Sequence, residues 1–225
     1  MVPNLSVFKY PLGVIRVVEF LFIVLAIAAV NSWSVTVNAD CPVQPTNNES
    51  IKVHIEARTF TLSDVKVQNC NKTEVTFWKS DNNAGGSAGF FYFTNVTALI
   101  YVLVITFIYV IFWEVYQHEK RLALADLAIT ALLFVFFFFC SSIWWAGSNT
   151  LGSATSEKTI NELLTVDGFW GHGGPTLSAS RDTNNGKLVI SVICDWACVL
   201  LFAFNCWFVW KEIVPRPAEN PSQIA

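Results

Sequence analysis

Chemistry needs titratable or nucleophilic side chains at spacings that bring them together, and this chain offers few. Its three histidines, His54, His118 and His172, are far apart, and no two fall on one predicted element. None belongs to an HExxH pattern, in which two histidines must share a helix face to hold a metal. No Ser-His-acid or Cys-His arrangement stands out. Cys194 and Cys198 are four residues apart and share a helix face, but a metal site needs further ligands, so the pair is read as buried packing. Gly168-Phe-Trp-Gly-His-Gly-Gly-Pro175 has the composition of a phosphate loop. It lacks a preceding strand and the lysine that such a loop uses, so it is read as a surface turn. The expectation is a protein without catalytic, metal or cofactor sites.

The acids are more informative because of where they fall. Glu19, Asp126 and Asp195 all lie in strongly apolar stretches. An ionisable group at membrane depth is costly and is a functional candidate for that reason. Glu19 follows Arg16 by three residues, so the two can pair on one helix face near the interface. Asp126 stands at the start of its stretch, where it is expected to reach lipid headgroups. Asp195 lies about two turns inside its stretch, with no opposite charge at similar depth. Three states are open to it: protonated, hydrogen-bonded within the bundle, or paired with a helix of another protein. A packing or interaction role is expected, with ion-coupled transport as the alternative. Asn205, further along the same stretch, is expected to bond across helices.

The elements that position these residues follow from composition. Of 225 residues, 53% are hydrophobic and 14% charged, whereas a soluble domain carries about 25% charge. A net charge of −3 gives no reason to expect nucleic acid as a partner. Four runs reach the roughly 20 apolar residues that a helix needs to cross a bilayer. They lie at about 12–32, 90–116, 124–145 and 188–210. The third contains Leu133-Phe-Val-Phe-Phe-Phe-Phe139, apolar on every helical face, unlike the amphipathic helix of a soluble protein. Trp33, Trp113, Trp144, Trp145, Trp207 and Trp210 stand at the ends of the runs, as an interfacial aromatic belt would.

Four spans return both termini to one side. Lys9, Arg16, Lys120, Arg121, Lys211 and Arg216 flank the runs on that side, which assigns it to the cytosol. Residues 1–11 and 213–225 are then cytosolic, the latter a short disordered tail with three prolines. The long links at about 33–89 and 146–187 face the lumen or exterior. Ala26-Ile-Ala28 resembles a signal-peptide cleavage site, so the first run is either a span or a cleaved signal.

Cys41 and Cys70 share the first link, and on an oxidising side they are read as a disulfide. Closing a loop of about 30 residues would stabilise the fold by roughly 3–4 kcal/mol. Sequons at Asn48 and Asn71 fall in the same link and are expected to carry glycans, whereas those at Asn4 and Asn95 are not. Ile51 to Arg58 alternates apolar and polar residues, a strand pattern. Val75 to Trp78 is a second strand candidate, and Asp81 to Gly86 reads as a turn-rich link. The fold class expected is all-α membrane: a four-transmembrane-helix bundle with a small disulfide-bridged, β-containing lumenal cap.

Several segments, taken in order, resemble the physin (synaptophysin) family of four-span vesicle proteins with a MARVEL domain. They are Arg58-Thr-Phe60-Thr-Leu62 before Cys70, Ser87-Ala88-Gly-Phe90-Phe91 with Ala98 and Tyr101, and Asp126-Leu with Thr130, Ser141-Ser142 and Trp145-Ala146-Gly147. The last is Asn205-Cys-Trp207-Phe208-Val209-Trp-Lys211-Glu212. The likeness extends over most of the chain and makes 12–212 a MARVEL-like domain. Two features depart from the family: the link between the third and fourth runs has no cysteine pair, and no long Tyr-, Gly- and Pro-rich tail follows, so tail-dependent contacts are not expected. The resemblance implies residence in synaptic or small secretory vesicles, and homo- or hetero-oligomers. It also implies association with cholesterol-containing membrane lipid, a synaptobrevin-type vesicle SNARE and the vesicular proton pump. The implied role is to organise the vesicle membrane during exocytosis and retrieval.

Overall fold

A computed structural model of the protein describes residues 5–41, 52–70, 72–165 and 179–213. Among them the helices are α1 (Pro11–Asn31), α2 (Gly85–His118), α3 (Lys120–Ala154), α4 (Glu157–Thr165) and α5 (Asn185–Ile213). The strands are β1 (Val35–Asp40), β2 (Lys52–Ala57), β3 (Lys66–Gln68), β4 (Glu74–Thr76) and β5 (Ala179–Thr183). Four helices are long and apolar enough to cross a membrane: Pro11–Asn31, Gly85–Tyr116, Lys120–Ala154 and Asn185–Lys211. The fold is thus mainly helical, with a small β-containing segment and the expected Cys41–Cys70 disulfide. The chain forms two compact units, each gathering segments distant in sequence.

The first unit contains residues 1–25, 93–139 and 194–225. Its helices are inverted relative to those of a soluble protein. Along α1, Leu12, Arg16, Glu19 and Ile23 are buried, while Val14, Val17, Leu21, Val24 and Leu25 are exposed. The three- and four-residue spacing puts the charged pair on the inward face and the aliphatic side chains outward. In a membrane this is the favourable arrangement, because lipid solvates apolar faces as well as a protein core does. Helices then associate through close packing and hydrogen bonds rather than through the hydrophobic effect.

Pro11 opens α1, its missing N–H costing nothing at a first helical position. Just inside, a Cβ at Gly13 would stand 2.4 Å from the Val7 carbonyl oxygen, so the close approach of the preceding turn requires glycine there. Val7, Leu12, Ile105, Tyr109, Tyr116, Ala123 and Val209 form one buried apolar cluster, and Phe137 stacks on Phe202 with ring centres 5.1 Å apart. A single residue, Glu119, separates α2 from α3. Helix α2 is kinked at Phe112, where φ is −116° and ψ is 30°, although neither proline nor glycine lies nearby.

The second unit contains residues 26–92 and 140–193. Its three-stranded antiparallel sheet has the order β2-β1-β5. Val35, Val37 and Ala39 pair with Ala57, Ile55 and Val53, and all six are buried on one face. Strand β2 coincides with the alternation predicted for residues 51–58. Strand β4 covers part of the second predicted strand and pairs with β3 through Val67 and Val75.

The Cys41–Cys70 disulfide, with Cα atoms 5.7 Å apart, joins the end of β1 to the residues after β3. The predicted turn at residues 81–86 is shorter than expected. The Asn83 side-chain oxygen accepts from the Gly85 N–H at 2.8 Å, and this cap starts α2 at Gly85. A Cβ on Gly85 would come within 2.5 Å of Thr61 Oγ1.

Three tryptophans fill the core of this unit, and each indole N–H has a partner. Trp33 donates to Asn185 Oδ1 at 3.1 Å, Trp78 to the Ala154 carbonyl at 3.1 Å and Trp144 to Ser191 Oγ at 2.8 Å. This corrects the belt assignment for Trp33 and Trp144, which are 2% and 0% exposed. Trp33 follows the end of α1 and Trp144 lies well inside α3, and both face inward, where a buried indole is stable once its N–H is paired. Trp145, Trp207 and Trp210 are 54%, 56% and 49% exposed.

The helix ends of this unit are tied together by side chains. Asn185 Nδ2 donates to Thr155 Oγ1 at 3.0 Å, Arg181 to the Thr155 carbonyl at 2.7 Å and Lys187 to the Ser32 carbonyl at 2.7 Å. The predicted glycine-rich loop with His172, and the sequons at Asn48 and Asn71, lie outside the described residues.

Candidate functional site

The first unit encloses a charged cluster centred on Arg16. Its guanidinium approaches Glu19 Oε2 at 3.0 Å through Nη1, and Asp126 Oδ1 at 2.6 Å through Nη2. Nη2 also lies 2.9 Å from Thr130 Oγ1, and the guanidinium carbon is 5.1 Å from the centre of the Tyr101 ring. Asp126 takes further donors from α2 and, through Thr130, from α3 itself. Tyr109 and Tyr116 donate to Oδ2 at 2.5 and 2.7 Å, and Tyr101 and Thr130 donate to Oδ1. From α5, Asn205 Nδ2 donates to Glu19 Oε1 at 3.1 Å. Every membrane-spanning helix therefore contributes at least one polar side chain.

Arg16, Glu19 and Asn205 are wholly buried, and Asp126 is 2% exposed. A buried ion pair gains over its desolvation cost only when its remaining donors and acceptors are also met. Asp126 satisfies that condition unusually well, since an ionised carboxylate is purely an acceptor and here it faces one guanidinium and four hydroxyls. Two polar atoms of the cluster have no hydrogen-bond partner among the described residues, Arg16 Nε and Asn205 Oδ1.

The structure changes the reading of two acids. Asp126 does not reach toward headgroups. It is nearly two turns into α3, which begins at Lys120, and its rotation about that helix turns it onto Arg16. Glu19 pairs with Arg16 as its spacing allows, but in the interior rather than at an interface. Asp195 is buried on α5 and accepts from Asn95 Nδ2 of α2 at 3.1 Å; the cluster around Arg16 does not include it.

Tyr109 and Tyr116 belong to no charge pattern or motif. Their signal in the sequence is the seven-residue spacing that keeps two phenols on one side of an apolar helix. His54 Nδ1 lies 2.6 Å from Asn38 Oδ1 on the exposed face of the sheet. Cys41 and Cys70 are occupied by their disulfide, and Cys194 and Cys198 are buried.

The arrangement can hold helices in register and can hold a proton. Residues 8–208 match the family model of MARVEL, described as a membrane-associating domain. The chain belongs to the MARVEL family of membrane-associating proteins.

Proposed function

We propose that this protein is a non-enzymatic organiser of synaptic or small secretory vesicle membrane, acting by binding other vesicle proteins. The observation that carries the reading is the Arg16 cluster, in which charged groups from separate helices are spent on one another. Such a cluster fixes one arrangement of helices in lipid, which is what a membrane scaffold requires. Membership of a membrane-associating family supports the same reading, and the physin-like segments give it its vesicle setting.

On this reading both termini are cytosolic and the disulfide-bridged segment is lumenal. Asn48 and Asn71 then carry glycans, and an endoglycosidase-sensitive gel shift lost stepwise in Asn48→Gln and Asn71→Gln checks that orientation. The partners proposed are a synaptobrevin-type SNARE, the vesicular proton pump, cholesterol-containing lipid and further copies of this or a related chain. Asp195, Asn205, Glu19 and Asp126 are proposed to act by setting the helix faces that meet these partners.

Affinity purification from native tissue in mild detergent, followed by mass spectrometry, tests the proposal. Recovery of vesicle SNAREs or proton-pump subunits is expected, and recovery of the protein alone would sink it. A second reading, an ion-coupled channel or transporter, is favoured by the burial of Asp195 against Asn95 in apolar surroundings. Flux in reconstituted vesicles that is abolished by Asp195→Asn supports that alternative, and unchanged flux excludes it.

A further inference from the structure

The Arg16 cluster does not balance its charges. Arg16 brings one positive charge, and Glu19 and Asp126 would bring two negative ones. The titratable and polar groups facing Glu19 and its partners are Arg16 from α1, Tyr101, Tyr109 and Tyr116 from α2, Asp126 and Thr130 from α3, and Asn205 and Cys206 from α5. Among the described residues no second cation faces the cluster. Lys9, Lys120, Arg121 and Lys211 of the same unit are exposed. An uncompensated charge in a buried apolar setting is strongly disfavoured and is relieved by taking up a proton.

The two acids differ in how they could hold that proton. Asp126 is surrounded by donors on both oxygens, so protonating it would require a hydroxyl partner to turn from donor to acceptor and would take the ionised partner from Arg16 Nη2. Glu19 receives only Arg16 Nη1 and Asn205 Nδ2. Beside it, the carbonyl oxygen of Asn205 is buried and has no donor among the described residues. A half-turn of the Asn205 amide exchanges its nitrogen and oxygen, which places that acceptor against Glu19 Oε1.

We propose that the cluster is a proton-binding site with Glu19 as the proton carrier, its carboxyl O–H donated to the Asn205 side-chain carbonyl. The proton comes from the aqueous phase and forms one O–H bond on Glu19. The Arg16–Asp126 pair stays ionised, and the cluster becomes neutral. The α1–α5 contact then depends on a bound proton, while the α1–α3 contact does not.

The test uses the full chain in lipid nanodiscs at neutral pH, labelled with carboxyl-¹³C glutamate. Glu19 is the only buried residue among the glutamates whose side chains are described, so a protonated glutamate signal assigns itself. The expected result is one infrared carbonyl band of a protonated carboxylic acid that moves with the ¹³C label and on deuterium exchange. It disappears in Glu19→Gln. That variant copies the shape and neutrality of the protonated acid and is expected to melt at or above the wild-type temperature. A wild-type spectrum containing only ionised glutamate overturns the proposal, and so does a protonated band that follows aspartate labelling instead. Because the wild-type spectrum decides, failure of a variant to fold leaves the answer intact.

Discussion

Arg16 Nη2 on α1 lies 2.6 Å from Asp126 Oδ1 on α3, a pair separated by 110 residues of chain and closed off from the surface. The two residues are coupled beyond their attraction, because removing either leaves the other buried among groups arranged to receive it.

Arg16→Met is therefore expected to destabilise the protein by about 3–5 kcal/mol, the usual cost of orphaning a buried charge. Asp126→Leu should cost a comparable amount. In a double-mutant cycle read by thermal unfolding in detergent, the paired variant should lose less than the sum, with a coupling of about 1–3 kcal/mol. Strict additivity would show that the two side chains do not act as a unit.

The same cluster bears on the Ala26-Ile-Ala28 sequence near the end of α1. Cleavage there would strip Asp126 and Asn205 of Arg16 and Glu19, leaving an acid buried without its counter-ion. The first helix is expected to stay attached in the mature protein. Epitopes placed at the N-terminus and the C-terminus should migrate in one band on a denaturing gel, and an N-terminal fragment released by signal peptidase would refute this.

Cys41→Ser, Cys70→Ser and the double variant should have the same melting temperature. Each removes one cross-link that closes a loop of sequence separation 29, worth about 3–4 kcal/mol in the chain-entropy account. A double variant clearly less stable than either single one would mean that the thiols stabilise the fold by packing rather than by their bond.

The tryptophans should divide into two groups by fluorescence. A quencher dissolved in the lipid phase is expected to reach Trp145, Trp207 and Trp210 and to spare Trp33 and Trp144. Trp144→Phe should cost about 1 kcal/mol for the lost indole hydrogen bond to Ser191, beyond the change in packing volume. Trp145→Phe should leave the melting temperature nearly unchanged.

How far these features could be read in advance depended on whether the signal was periodic. The apolar runs show α1, α2, α3 and α5 by length alone, and β2 shows in the alternation of Lys52, Val53, His54, Ile55, Glu56 and Ala57. Strand β5 is Ala-Ser-Arg-Asp-Thr, with no alternation to detect, because its place comes from pairing with β1 rather than from its own side chains. Position along a helix was legible, but rotation around it was not. Asp126 looks interfacial from its place at the start of the third apolar run, and Trp33 and Trp144 look like a belt from standing at the ends of apolar runs. In each case the inward face was chosen by partners more than 40 residues away in sequence: Arg16, Asn185 and Ser191.

The bend of α2 at Phe112 lies between Tyr109 and Tyr116. Seven residues span about 10.5 Å of straight helix, yet both phenols reach the same Asp126 oxygen, with their own oxygens 3.4 Å apart. No proline or glycine writes the bend into the chain, and the two phenols on either side of it share one anchor on α3, so the helix changes direction where it grips its neighbour.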